Sequence, residues 1–378
     1  MLFHVTRCKQ VDSFHEISIV GGGPSGIATA LSLLKRGIKS TVFEADATTR
    51  PKAGETLPPT VMPVFKNLEI EALLDDPRHA ICYGNSWLWG STHIQDKHFM
   101  LHSGGNGWHL QREIFEEALI SLAEERGIRI IRNAKIRQVD PSEKGWKMKL
   151  KVNNSETTVE TGFIVDATGR SSKIARCLGV ERHRYDTLVG VVGRFFVDES
   201  FELSLQTHIE AVENGWWYAA ALSNKQIVTA FMTDAELLPK NYQNSSGYWD
   251  ALTGTTLIRS LFPEHFQPEK DMVLHTQSAE TSFLESIYGE NWLAVGDAAF
   301  AYDPISSYGI TSALGTGCYA GNAIAEHLSG AAEALPAYRY LTEKAFSDYL
   351  PLWDHQYALE QRWSEFPFWK KRISPEYE

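Results

Sequence analysis

The stretch ISIVGGGPSGIATALSLLKRG, running from Ile17 to Gly37, decides the fold. Ile17–Val20 reads as a short buried strand and glycines follow at once. Ile27, Ala28, Leu31 and Leu34 then recur at helical spacing until Gly37 ends the run. The apolar run has about the length of a membrane span, but glycines and a proline at fixed positions inside it fit a strand–turn–helix better. No transmembrane segment is expected. Gly21, Gly23 and Gly26 stand in GxGxxG spacing. The first glycine permits the tight turn, the second lets backbone approach a pyrophosphate, and the third lets the helix pack on the strand. Pro24 and Ser25 open the helix, whose free N–H groups and positive dipole end attract phosphate. A second strand at Ser40–Asp46 carries Glu44 and Ala45. Glu44 lies 18 residues beyond Gly26, placed to accept both ribose hydroxyls of an adenosine. The unit is expected to bind a dinucleotide, and Glu44 argues against a 2′-phosphate.

The chain has 378 residues, enough for two domains or one large composite. Its 36 Lys and Arg against 47 Asp and Glu give a net charge of −11 and a pI near 5.7. That balance repels phosphate backbones and anionic lipid, so neither nucleic acid nor membrane is an expected partner. Cys8, Cys82, Cys177 and Cys318 are dispersed, with no CxxC or Cys/His spacing. No disulfide frame or metal site is expected, and with no secretory leader visible a cytoplasmic location follows. Aromatics are abundant, at 11 Trp, 14 Tyr and 18 Phe. They supply core mass and also suit a dry pocket or an interface.

Further along, Arg112–Gly127 is a helix with Ile114, Phe115, Ala118, Leu119 and Leu122 on one face. Strands are expected at Ile128–Ile131, Trp146–Val152 and Phe163–Ala167. From Thr187 to Asp234 the chain alternates in long runs broken by turns such as Ser223–Lys225, the pattern of an antiparallel sheet, with Ser86–Ser91 as an earlier contributor. An apolar strand returns after Trp292, leading through a Gly/Ser loop into a helix over Ile310–Leu328, and Ala337–Trp363 is helical. The fold class is therefore α/β, a Rossmann-like nucleotide-binding domain with an inserted antiparallel β-rich domain and C-terminal helices. The boundaries read from the sequence are 1–80, 104–185 and 286–330 for the discontinuous nucleotide domain, 81–103 and 186–285 for the β-rich domain, and 331–378 for the helical segment.

A second signal, WLAVGDAAFAYDPISSYGITSALGTG from Trp292 to Gly317, places Gly296 and Asp297 just after a buried strand, and Pro304, Gly309 and Ile310 at the loop and start of a helix. It resembles the second FAD fingerprint of the aromatic-hydroxylase and flavin-halogenase superfamily. The resemblance implies that Asp297 binds the ribityl chain and that the Pro–Gly loop and helix N-terminus sit under the flavin, where a positive dipole end favours negative charge on reduced flavin. Three further segments are similar to the same superfamily. KAGETLPP (Lys52–Pro59) resembles the loop beside the isoalloxazine, contributing Gly54, Glu55 and Thr56. GWHLQRE (Gly107–Glu113) resembles the helix start that carries an arginine, Arg112, near the cofactor. VDATGRSS (Val165–Ser172) resembles the Asp-x-x-Gly motif, with Asp166 and Gly169. The five motifs span about Ile17–Leu328.

The resemblance implies an FAD-dependent, monooxygenase-like oxidoreductase that holds reduced FAD, forms a flavin C4a-hydroperoxide with O2 and excludes water from it. Trp87, Trp89, Trp108, Trp216, Trp217 and Tyr218 are candidate pocket linings, and Glu55, His109 and Ser307 candidate polar catalytic groups, His109 as a base for a phenol or indole. The halogenase Trp-x-Trp-x-Ile-Pro motif is degenerate here, reading GWWYAAAL from Gly215 to Leu222, so oxygenation ranks above halogenation, although Lys52 falls near the position of a catalytic lysine in some halogenases. No second GxGxxG is present, and the electron donor is left open among NADH, NADPH and an external reductant. The pattern also resembles flavoproteins that form tryptophylquinone cofactors in lysine- or glycine-oxidase-type amine oxidases, which implies an indole substrate within a partner protein precursor. A small-molecule aromatic hydroxylase, a halogenase, and a non-catalytic FAD-binding maturation chaperone are the alternatives. A geranylgeranyl-type reductase shares the fold.

Overall fold

A computed structural model describes residues 14–49, 52–99, 104–269 and 272–373. Cys8 lies outside them. The opening unit is as the spacing predicts: a strand at Phe14–Val20, a helix at Pro24–Lys35 and a strand at Thr41–Phe43. These belong to an eight-stranded sheet in which the strands Trp292–Ala294, Ser155–Asp166, Phe14–Val20, Thr41–Phe43 and Arg129–Ile131 run parallel side by side. The continuous apolar strands Ile17–Val20 and Phe163–Val165 are almost wholly inaccessible, as strands covered on both faces must be. The antiparallel pair Ala134–Ser142 and Gly145–Val152 extends the sheet off the end of Ser155–Asp166.

The helix Pro24–Lys35 lies against the helix Gly309–Leu328. Gly317 makes this approach possible: a Cβ there would stand 2.5 Å from the Ser25 carbonyl. Residues nearly three hundred positions apart thus form one nucleotide-binding layer.

The second layer is a seven-stranded sheet in the order His275–Ser278, Leu188–Phe196, Gln226–Asp234, Gly215–Ala221, Gln206–Val212, Gly84–Leu88, Gln95–His98. Four of its strands fall within the alternating region Thr187–Asp234. The early segment Gly84–Leu88 does join them, but parallel to Gln206–Val212 rather than as part of an antiparallel meander, because it enters from the nucleotide layer and not through a hairpin. One face of this sheet packs on the main core. The other carries a separate core of Val191, Phe195, Trp217, Phe231, Tyr248 and Trp249, covered by the helix Ser245–Thr253. A small sheet of Thr56–Leu57, Gly107–His109 and Ala80–Cys82 sits where the layers meet.

The C-terminal helix runs over Ala334–Ala358 and a second one over Pro367–Ile373. The sequence suggested one run through Trp363. Instead Pro367 opens a new helix, where its missing N–H costs nothing. Arg372 then anchors that helix by a two-pronged ion pair with buried Asp234, at 2.7 and 3.0 Å. Among the described residues no helix is long and apolar enough to cross a membrane.

Candidate active site

The nucleotide end is built from backbone. Gly21 adopts φ +115°, and a Cβ there would meet the Ala167 carbonyl oxygen at 2.1 Å; one at Gly26 would meet the Gly21 oxygen at 2.0 Å. Gly23 differs, since nothing lies within 4 Å of where its Cβ would be. Gly23 caps the helix in extended conformation with no side-chain hydrogen bond, so the first-turn N–H groups behind Pro24 and buried Ser25 face outward. The Glu44 carboxylate accepts the N–H of Gly22 at 2.6 Å and of Asp46 at 2.9 Å, which fixes it at the rim, while Ala45 is exposed beside it. Gly22, Gly23, Glu44, Thr49, Lys52 and Arg132 are among the residues lining a cleft here.

Arg112 begins its helix almost covered. It donates to the Ala53 and Gly54 carbonyls, both at 3.0 Å, and to Glu116 at 2.5 Å. Its Nε is buried and has no partner. Asp166 is inaccessible, and its two oxygens accept the N–H groups of Thr168, Ile174 and Ala175 and the Thr168 hydroxyl. These bonds cap the Lys173–Cys177 helix beside the turn at Gly169 (φ +63°).

Asp297 remains partly accessible, 3.5 Å from the Arg170 guanidinium. Arg182 donates to the Asp297 carbonyl at 2.7 Å, and burial lowers its pKa to about 10. These two arginines escaped the sequence reading; Arg170 lies inside VDATGRSS, but Arg182 has no motif around it. Past Gly296 (φ +57°) the chain turns through exposed Pro304 and half-buried Ser307 (φ +53°) to Gly309 and buried Ile310, where a 20-residue helix starts without a side-chain cap. Asp303, fully buried, holds this loop. Its carboxylate accepts the Ile305 N–H at 2.9 Å, Trp353 Nε1 at 3.0 Å and the Tyr357 hydroxyl at 2.8 Å.

Across the junction of the layers, Glu55 is fully buried and 3.2 Å from Arg194. Burial raises its pKa, and Arg194 opposes that rise. The Tyr218 hydroxyl stands 3.4 Å from Glu55 and 3.0 Å from Thr56; Thr56 meets Thr207 at 2.8 Å; and Thr207 meets His109 Nε2 at 2.9 Å. His109 Nδ1 faces the Ala221 carbonyl at 3.0 Å. Burial alone would depress the imidazole, but the neighbouring Cys82 sulfur, that carbonyl and Glu55 outweigh it and its pKa is raised. Glu55 and His109 are thus joined, whereas Ser307, half-buried, lies on the Pro304–Ile310 turn.

The aromatic candidates separate. Strand alternation sends Trp216 and Tyr218 to one face and Trp217 to the second core on the other. Trp216 Nε1 donates to the Tyr357 hydroxyl at 3.0 Å, and Trp89 packs edge-on against Trp216, Tyr357 and Trp369 while donating to the Gln356 carbonyl. Both lock the C-terminal helices to the sheet. Trp87 and Trp108 are half-buried.

Residues 15–345 match the family described as FAD binding domain. The chain belongs to this family. It is an FAD-dependent oxidoreductase, and a relative described as an FAD-dependent oxidoreductase, LodB of Marinomonas mediterranea, is 30% identical over 95% of this chain and 96% of its own. Among solved structures, a myxobacterial chondrochloren halogenase, CndH, matches 97% of this chain and 87% of its own with TM-score 0.85 and 19% identity. A peptidyl tryptophan dihydroxylase essential for tryptophylquinone cofactor biogenesis, QhpG, matches 97% and 80% with TM-score 0.77 and 22% identity. The residues present fit FAD: there is open space at Gly23, and the buried Arg112 Nε and the buried Thr311 hydroxyl at the start of the Gly309–Leu328 helix have no protein partner.

Proposed function

We propose that the chain uses FAD and O2 to oxygenate an aromatic ring, the indole of a tryptophan within a partner protein, on the way to a tryptophylquinone cofactor. The observation that carries oxygenation over halogenation is where Lys52 goes. Its Nζ lies 2.5 Å from Glu116 in the nucleotide cleft, engaged by a buried carboxylate. The substrate class is supported by the fold shared with a peptidyl tryptophan dihydroxylase, and the oxidoreductase class by 30% identity to LodB over 95% of the chain.

In this reading Gly23 and the first-turn amides behind Pro24 and Ser25 would hold the pyrophosphate, Glu44 the adenosine ribose, Asp297 the ribityl chain, and the Gly54–Thr56 loop and Pro304–Ile310 turn the flavin. Residues 1–80, 104–185 and 286–330 form the cofactor unit, 81–103 and 186–285 the substrate sheet, and 331–378 its helical brace. Reduced FAD supplies two electrons to O2, so that one oxygen atom enters the ring and the other leaves as water. The protein's part is to position and to exclude water. Arg112 and Arg194 hold the Lys52–Thr56 loop from both sides through the carbonyls of Lys52, Ala53 and Gly54. Tyr218 presents an aromatic face from the sheet to the Glu55 loop, where it would help exclude water.

The test is to incubate the reduced protein, in air, with the precursor of a quinone-type amine oxidase and map oxygen on its tryptophans by peptide mass spectrometry. Oxygen on one tryptophan supports the reading. Oxygen on a free phenol or aromatic acid instead, or a halogen on the indole when chloride or bromide is present, overturns it. Bleaching of the flavin by NADH, NADPH or neither identifies the electron donor.

A further inference from the structure

We propose that Tyr218, Thr56 and Thr207 form a proton relay between His109 and Glu55, giving the reacting centre a proton donor and acceptor sealed from water. This rests on the reading that the Glu55 loop borders the reaction site. The geometry is a single file: imidazole Nε2, Thr207, Thr56, Tyr218, carboxylate, with contacts of 2.9, 2.8, 3.0 and 3.4 Å. Glu55 and His109 are wholly inaccessible, and Thr207 and Thr56 nearly so.

A hydroxyl in such a file accepts from one neighbour and donates to the other, so the chain has only two consistent polarities. The Ala221 carbonyl only accepts, which keeps a proton on Nδ1 and makes Nε2 the exchanging atom. In one polarity Nε2 donates to Thr207, each hydroxyl donates onward, and Tyr218 donates to the Glu55 carboxylate; His109 is cationic. Moving one proton along each of the four hydrogen bonds reverses every donor and leaves a neutral imidazole and a neutral carboxyl. No atom is gained or lost, no electron moves, and the two buried charges are created or cancelled together, the charged state bearing the desolvation penalty. Arg194 and Arg112 favour the Glu55 anion, while burial favours the neutral acid. On the other side Cys82, 3.7 Å from the Thr207 hydroxyl, lies against His109; His208, next along the strand and bonded to Ser204, stays uncharged, with its pKa pushed down to about 4. A proton delivered to or taken from substrate at Glu55 is therefore replaced from His109, and not from bulk water.

Thr56 and Thr207 touch neither proton-accepting end exclusively, which makes them the places to cut. In the FAD-loaded protein, Thr56→Val and Thr207→Val keep shape and remove the hydroxyl, whereas the Ser variants keep the hydroxyl and lose a methyl. The relay requires both Val variants to lose kcat by roughly 100-fold, the scale of general acid–base catalysis, and Thr207→Val, which lies off the flavin loop, to do so with KM and FAD affinity held within about twofold. The solvent deuterium isotope effect on kcat changes with them, and the Ser variants recover most of the rate. Independently of turnover, nitrogen NMR of His109 in the oxidised holoprotein reads Nε2 protonation against pH. Glu55→Gln must shift that titration in an otherwise native chain and shift it much less when Thr56 is Val. Equal rates in the Val variants, Ser variants as poor as Val, or a Glu55→Gln shift unaffected by Thr56→Val overturns the relay. If the NMR coupling is present but no aromatic ring is oxygenated, the relay stands and the oxygenase reading falls.

Discussion

The two ends of the site are made of different material. At the nucleotide end nearly everything depends on backbone: a positive-φ glycine, a Cβ-free approach, a helix start without a cap, and a carboxylate pinned by two amides. At the junction with the sheet everything depends on side chains drawn from separate strands and loops, at positions 55, 56, 109, 194, 207 and 218. Backbone constraints are absolute because no rotamer escapes them. Side-chain networks are adjustable, and their loss is felt in protonation and packing before it is felt in the fold.

The hardest way to break the first end is Gly21→Ala. The added methyl must adopt φ +115° and overlap the Ala167 carbonyl at 2.1 Å, so the strand and turn have to move together. The expected outcome is a protein recovered without FAD, read as the ratio of flavin absorbance to protein. Gly23→Ala is the matched control, because its methyl enters open space. The fold and melting temperature survive while FAD affinity drops by about tenfold, on the order of 1.4 kcal/mol, since the methyl occupies the pyrophosphate approach. Wild-type affinity in Gly23→Ala would show that the phosphates lie elsewhere.

The same contrast explains what was legible beforehand. Glycine spacing, Glu44 and the Gly296–Asp297 turn are local in sequence and impose local geometry, so the chain announces them. Asp166 shows the limit, because its motif was visible but the helix-capping bonds its oxygens accept from Ile174 and Ala175 were not. Arg182, Arg194 and Thr207 stand next to nothing informative in sequence, and Asp303 lies inside the second FAD fingerprint without its buried partners Trp353 and Tyr357 being visible there. Their meaning arises only when sheet register and helix packing bring remote segments within hydrogen-bond reach.

On the side-chain half, the largest effect on stability is expected at Arg372. Its guanidinium and Asp234 are both buried and paired, and the guanidinium also stacks 3.8 Å from the Phe368 ring centre. Arg372→Met strands a buried carboxylate, which costs about 3–5 kcal/mol in chemical denaturation. Pairing it with Asp234→Leu recovers much of the loss, because the second change removes the stranded charge.

A smaller effect separates the halves by pH. His208 is buried against Ser204, and desolvation first, with the charge of His109 second, pushes its pKa down to about 4. An unfolded imidazole titrates near 6.5, so between those values the unfolded chain binds the proton and the folded one does not. Stability contributed by neutral His208 is thus complete above about pH 6.5 and is lost as pH falls toward 4, on the order of 3 kcal/mol at most. His208→Gln, which keeps a polar group toward Ser204, has a shallower acid limb in melting temperature against pH. An unchanged limb would mean that His208 already carries its proton in the folded state.

The smallest expected effect tests the comparison within a single strand. Trp216 and Trp217 are neighbours, equally inaccessible, on opposite faces of the sheet. Trp216→Phe removes the hydrogen bond to the Tyr357 hydroxyl, which itself donates to Asp303, the residue that holds the Pro304–Ile310 turn. Trp217→Phe removes a similar volume beside Phe231 and Tyr248, with the whole sheet between it and that turn. Each substitution shrinks a packed indole. In Trp216→Phe the lost hydrogen bond adds about 1 kcal/mol, and this part is transmitted to the cofactor side. Both variants are therefore expected to melt earlier, but only Trp216→Phe alters the flavin absorption envelope and the FAD dissociation constant. Equal spectral changes in the two would mean that the sheet transmits packing defects as readily as the Trp216–Tyr357–Asp303 chain does, and the division between the two halves would dissolve.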